Sequence, residues 1–133
     1  MTLVDAGPLV ALLHRDDRDH ARCVEALRHL RGRLATTWPP LIEAAYLLGF
    51  APRAQDALLE MVERGALVLL PLNGSDAPRV RALLRTYHDL PMDLADATLV
   101  RVAEREGVLR VFTLDRRHFS IYRAGRRAFQ IIP

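Results

Sequence analysis

The chain has no lysine: all 19 of its basic side chains are arginines. That absence excludes every mechanism that needs an amine. It also excludes a nucleotide-binding loop of the glycine-rich kind that ends in Lys-Ser or Lys-Thr. Cysteine is almost missing too. Cys23 stands alone, so no internal disulfide can form, which suits a reducing compartment. No apolar run reaches membrane-spanning length, because Arg or Asp interrupts each candidate. The amino terminus enters a strand pattern directly, without a basic start, an apolar stretch and a small-residue cleavage site. No signal peptide is therefore expected, and the expectation is a cytoplasmic protein without membrane contact.

What is present fits one globular domain over residues 1–133, with 50% hydrophobic and 26% charged residues. The net charge of +3 is uneven. Residues 1–100 hold 11 Arg against 13 acids, and residues 101–133 hold 8 Arg against 3 acids. A GC-rich genome explains a preference for arginine without function. A basic segment beside an acidic pocket nevertheless suits a phosphate-backbone ligand.

Strand and helix patterns alternate along the chain. Thr2–Asp5 reads as a short buried strand, Gly7-Pro8 as a turn, and Leu9–Leu13 as the start of a helix. Arg15–Arg33 reads as an amphipathic helix with a stripe at Ala21, Val24, Leu27 and Leu30. His14, His20 and His29 lie on or near it without partner ligands and read as surface residues. A brief strand at Leu34–Thr37 meets a turn at Trp38-Pro39-Pro40, and Leu41–Phe50 is a nearly all-apolar helix. Arg53–Arg64 is a helix stopped by Gly65, Ala66–Leu72 an apolar strand, and Ser75 or Asp76 starts a helix running to Asp89. The helix Asp93–Glu106 ends at Gly107, its buried side expected at Ala95, Leu99, Val102 and Ala103. Strand Leu109–Thr113 follows, then a turn at Arg116–Phe119 and an edge strand at Ala128–Ile132. This order predicts a three-layer α/β/α domain with a mainly parallel central sheet.

Five acids stand in apolar surroundings or at element ends: Asp5, Glu43, Asp93, Asp96 and Asp115. Asp5 follows a buried strand, where it either caps the next helix or lines the crevice at the carboxyl ends of a parallel sheet. Glu43 is the only charged residue between Arg33 and Arg53. In a buried helix it needs a metal or a partner; otherwise the helix turns it to solvent or an Arg pairs with it. Carboxylates that converge repel by about 4 kcal/mol per pair at roughly 4 Å and an effective dielectric near 20. Protons or a cation must offset that. Oxygen ligands without Cys or His favour Mg²⁺ or Mn²⁺, metals that hold a phosphodiester and activate water. Thr113, two residues before Asp115, is placed to hydrogen-bond a metal ligand or a water. Asp93 and Asp96, three apart on one helix face, divide the work: Asp93 as N-cap or supporting residue, Asp96 as ligand in the first turn.

The residues Leu3-Val4-Asp5 with Gly7-Pro8-Leu9, Glu43 in its apolar helix, Asp93-Leu94-Ala95-Asp96-Ala97, and Thr113, Asp115 and Phe119 together resemble the PIN-domain family. The nearest resemblance is to the VapC-type toxin ribonucleases of bacterial toxin–antitoxin pairs. Each motif alone is weak, but the set covers nearly the whole chain in order. The resemblance implies an α/β/α nuclease with a catalytic and metal-binding quartet of Asp5, Glu43, Asp96 and Asp115. It also implies Mg²⁺ or Mn²⁺, an RNA substrate, a homodimer and a cognate antitoxin. Ala6 departs from the pattern, since many relatives carry Ser or Thr there.

Arg116, Arg117, Arg123, Arg126 and Arg127 form the expected RNA-facing or antitoxin-facing surface, with Tyr122 and Phe119 interleaved. Tyr122 is a candidate for base stacking, and Phe119 is expected in the core. Phospho-acceptor receivers and aspartate-nucleophile phosphatases share this topology but use a lysine that this chain lacks. The serious rival is a non-catalytic RNA-binding module on the same fold.

Overall fold

The computed structural model describes all 133 residues. Its sheet is built from five three-residue strands: β1 (Thr2–Val4), β2 (Leu34–Thr36), β3 (Leu67–Leu69), β4 (Arg110–Phe112) and β7 (Gln130–Ile132). They run parallel in the order β3-β2-β1-β4-β7. Side chains alternate between the two faces, as the pleat requires. Leu3, Ala35 and Val111 enter one core with Val80, Leu99 and Phe119, whereas Val4, Leu34 and Phe112 enter another with Leu9, Leu41 and Leu58. Two cores on opposite faces of one sheet make the three layers.

Helices α1 (Ala6–Leu13), α2 (His20–His29), α3 (Trp38–Leu47) and α4 (Pro52–Glu63) form one outer layer; α5 (Ala77–Thr86) and α6 (Leu94–Glu106) form the other. The chain leaves β1 toward β2 and β3, then returns to the other side of β1 as β4. The strand order therefore reverses between β1 and β4. In open parallel sheets that reversal opens a crevice beyond the carboxyl ends of the two strands. Asp5 and Thr113 are the first residues past those ends.

Several boundaries differ from the sequence reading. Helix α1 already begins at Ala6, so Gly7 and Pro8 lie in its first turn and do not form a separate one. The helix expected over Arg15–Arg33 is only α2, because the Asp17 side chain accepts from the Asp19 amide at 2.9 Å and holds a turn instead. Pro39 and Pro40 open α3 and do not precede it, since proline tolerates the first helical turn. The strand expected over Ala66–Leu72 narrows to β3. The segment Ala128–Ile132 divides: β5 (Arg123–Ala124) and β6 (Arg127–Ala128) make a separate hairpin around Gly125 at φ +65°, and only β7 joins the sheet. A short helical turn, α7 (Arg116–Phe119), stands where a plain turn was expected.

Helix α6 is more enclosed than its expected stripe, for Ala97 and Val100 are buried as well. It begins at Asp93, whose Oδ1 accepts from the Asp96 amide at 2.8 Å, and ends at Gly107 in the left-handed region at φ +68°. Charge pairs fix it in place. Arg79 of α5 donates twice to Glu104, at 2.8 and 2.7 Å, and the buried Asp76 accepts from Arg101 at 2.7 Å and from Arg105 at 3.1 Å. Burial alone would raise the Glu104 carboxyl, but Arg79 and the Gly125 amide outweigh it and hold it low. The helix that carries Asp96 is thus anchored at the end remote from the crevice.

Candidate active site

Asp5, Ala6, Gly7, Glu43, Pro91, Asp93, Asp96, Asp115 and His118 line one cavity of about 280 Å³. All five acids singled out in the sequence face it. They come from four places: the end of β1, the middle of α3, the start of α6 and the loop after β4. None of the chain's Arg–carboxylate pairs involves any of the five.

Asp5 holds both positions left open by its sequence context. Its Oδ1 accepts from the Ala6 amide at 2.8 Å at the N-cap of α1, and its Oδ2 accepts from the Thr113 hydroxyl at 2.9 Å. Burial raises its carboxyl, the two hydrogen bonds oppose this, and the charges of Asp93 and Asp115 add to the rise. Thr113 is fully buried and its hydroxyl works in both directions. While it donates to Asp5, it accepts from the Asp115 amide at 3.0 Å. One hydroxyl thereby ties two acids from adjacent strands.

Asp96 lies in the first turn of α6, half-buried. Its carboxyl is pushed up to about 7, first by burial and then by the charges of Asp93 and Asp5. The Tyr122 hydroxyl donates to its Oδ2 at 3.0 Å and acts in the opposite direction. Asp115 accepts from the His118 amide at 3.2 Å as the N-cap of α7, and its Oδ2 lies 2.8 Å from His118 Nδ1. Against the ionised carboxylate that nitrogen is the donor.

Glu43 requires a correction of its physical premise. Helix α3 is not buried all round: Ile42, Tyr46 and Leu47 are exposed, and Glu43 stands exposed with them at the rim of the cavity. Partial desolvation at that rim still raises its carboxyl, followed by the charges of Asp5 and Asp93.

The basic tail also differs in part. Arg123 spends its guanidinium on the carbonyls of Ser120, Ile121 and Tyr122, and Arg116 donates to the Pro133 carbonyl. Arg117, Arg126 and Arg127 are exposed. Tyr122 is fully buried and offers no face to a base; Phe119 is buried as expected. Sequence reasoning missed both His118 and Tyr122 as neighbours of the acids. The available signal was their spacing after Asp115, at three residues and then four more, which places them on successive turns of a helix-like segment.

The donor set suits a hard divalent cation: carboxylate oxygens from several elements, with no thiol. As they stand, no three acidic or imidazole groups are drawn tightly enough together to enclose an ion. The carboxyls of Asp5, Glu43 and Asp96 are raised first by burial and further by the like charges around the cavity.

Comparison with known proteins bears on the fold and the family. Ribonuclease VapC26 of Mycobacterium tuberculosis is 28% identical over 134 residues, covering 98% of this chain and 99% of that protein. The crystal structure of M. tuberculosis VapC20, described as a Sarcin-Ricin loop cleaving toxin, superposes with a TM-score of 0.77 at 17% identity, over 84% of this chain and 87% of the other. A toxin–antitoxin complex from Klebsiella pneumoniae has a chain that superposes with a TM-score of 0.73 at 16% identity, over 100% and 97% of the two chains. At such identities the two structures speak for the fold. The PIN domain model matches residues 2–124, which include every strand of the central sheet but the last and all five acids of the cavity. By that match the chain belongs to the PIN domain family.

Proposed function

We propose that the protein is a Mg²⁺- or Mn²⁺-dependent endoribonuclease and the toxin of a toxin–antitoxin pair. One observation carries the reading: five carboxylates from four separate elements face one cavity at the strand-order reversal, and no arginine is paired with them. Family membership and the kinship with a named ribonuclease support the choice of RNA.

Asp5, Asp96 and Asp115 would hold the cation, with Glu43 completing the set from the rim. A divalent cation held by these residues would supply Lewis-acid chemistry for phosphodiester hydrolysis: charge stabilisation and a more acidic water. The protein's part is to present oxygens in fixed directions. Thr113 fixes Asp5 to the Asp115 backbone, and His118 holds one Asp115 oxygen. Exposed Arg117, Arg126 and Arg127 supply positive charge for the phosphate backbone.

Cleavage of generic single-stranded RNA is expected to stop in EDTA and return with Mn²⁺. Cleavage that survives rigorous chelation contradicts the metal role. RNA that binds but is never cut, with Mn²⁺ present, supports the rival binding module. RNA affinity should also fall as salt rises from about 50 to 200 mM; a flat response contradicts a phosphate-contacting surface.

We also propose a homodimer that binds a short, partly helical antitoxin segment. Ile42, Tyr46, Leu47 and Phe50, with Leu59 of α4 and Leu94 of α6, are exposed apolar side chains. Ile42, Tyr46 and Leu94 line one open groove, and an exposed apolar patch of this kind marks an interaction surface. Light scattering at high concentration is expected to give twice the 15.0 kDa chain mass; a monomer removes the dimer. The product of a small open reading frame next to the gene is expected to co-purify and to block cleavage.

A further inference from the structure

Tyr122 is the largest fully buried side chain of the protein, yet its hydroxyl reaches Asp96 in the cavity wall. Its ring is clamped edge-on by Tyr87 and Phe119, with centroids at 5.1 and 5.2 Å, and lies stacked at 6.3 Å from His118. Its amide donates to the His118 carbonyl at 3.0 Å, which ties the backbone to α7. Packing holds the ring and a hydrogen bond holds the backbone. The hydroxyl donates to Asp96 Oδ2 at 3.0 Å, and no group of the chain donates to Asp96 Oδ1. Three like charges act on Asp96, from Asp93, Asp5 and Asp115. They would swing an unrestrained carboxylate away from its neighbours. A donor on a buried ring resists that rotation and leaves the other oxygen of this cavity-lining carboxylate without a donor.

We propose that Tyr122 is a positioning residue that fixes the Asp96 carboxylate for the divalent cation, a role that rests on the metal-nuclease reading above. It touches neither RNA nor metal. Groups that orient a metal ligand typically change affinity about 10- to 100-fold when removed.

The test is Mn²⁺ titration by calorimetry of the full-length wild type, Tyr122→Phe and Tyr87→Phe. The Phe variant keeps the buried ring and deletes only the donor. Tyr87→Phe is the structural control, for its hydroxyl accepts from the Arg123 amide at 3.1 Å and touches no carboxylate. Tyr122→Phe is expected to weaken Mn²⁺ binding by about 10- to 100-fold and to lower kcat with the KM for RNA unchanged, while Tyr87→Phe binds Mn²⁺ as wild type does. Equal Mn²⁺ affinity of Tyr122→Phe and wild type overturns the inference and leaves the nuclease reading intact. A wild type that binds no Mn²⁺ overturns both. If Tyr122→Phe fails to fold, the wild type still decides. Mn²⁺ is then expected to change the near-ultraviolet tyrosine absorption in wild type, in Tyr46→Phe and in Tyr87→Phe alike. Binding without that change overturns the inference.

Discussion

Asp96→Asn is expected to cut metal-dependent turnover by at least about 100-fold, the upper end of what losing a supporting partner alone costs. The fold should survive, because the side chain keeps its shape and an oxygen that accepts from Tyr122. The metal-free variant should in fact melt higher than wild type. The Asp96 carboxyl is pushed up to about 7 in the folded protein by burial and by its acidic neighbours, against about 3.9 in an unfolded chain. Between those values the folded state binds the proton that the unfolded state has released. Stability therefore falls as pH rises from about 4 to about 7, and the penalty is fully present above that. The gain in melting temperature is expected near pH 8 and should vanish near pH 4. Asp93→Ala should behave in the reverse manner. It deletes the cap on the Asp96 amide, so it costs about 1 kcal/mol and spares most of the turnover. If Asp93→Ala abolishes cleavage without loss of stability, Asp93 is itself a ligand and the division of labour between the two is wrong.

Asp5→Asn is expected to lose turnover on the same scale, at least about 100-fold, with little change in melting temperature. Asn caps a helix about as well as Asp, and its carbonyl oxygen replaces the acceptor for one of the two donors, the Ala6 amide or the Thr113 hydroxyl. Asp5→Ala removes both acceptors. It leaves the hydroxyl hydrogen of fully buried Thr113 without its acceptor, while the oxygen still accepts from the Asp115 amide, so a further loss of about 1–3 kcal/mol follows. Thermal melts and single-turnover cleavage of the two variants separate the roles. If Asp5→Asn retained full activity while Asp5→Ala unfolded the protein, Asp5 would be a structural cap alone.

Much of this was legible before any coordinates. The short apolar strands, the helix stop at Gly107 and the acids at element ends are local signals, and each reappears where its chemistry put it. The parts that were not legible depend on contacts between distant segments. Glu43 looked buried because its neighbours are apolar, but Ile42, Tyr46 and Leu47 share that composition and face outward. Composition cannot tell a core helix from one with an unpartnered apolar face. Tyr122 looked like a surface aromatic because arginines flank it; only the packing of Tyr87 and Phe119 against its ring places it inside. The arginines of the tail looked alike, yet Arg116 and Arg123 are turned onto backbone carbonyls. The helix at Arg15–Arg33 was overextended because its charges fit a helical face, while Asp17 closes a turn that periodicity does not register.

The central claim is that these acids form a divalent-metal site at the carboxyl ends of β1 and β4. Anomalous diffraction from crystals of the wild type soaked in Mn²⁺ tests it most directly. The account predicts a manganese peak among Asp5, Asp96 and Asp115, within ligand distance of at least two of them. Crystals with Mn²⁺ bound only elsewhere on the surface, and none in this cavity, would contradict it.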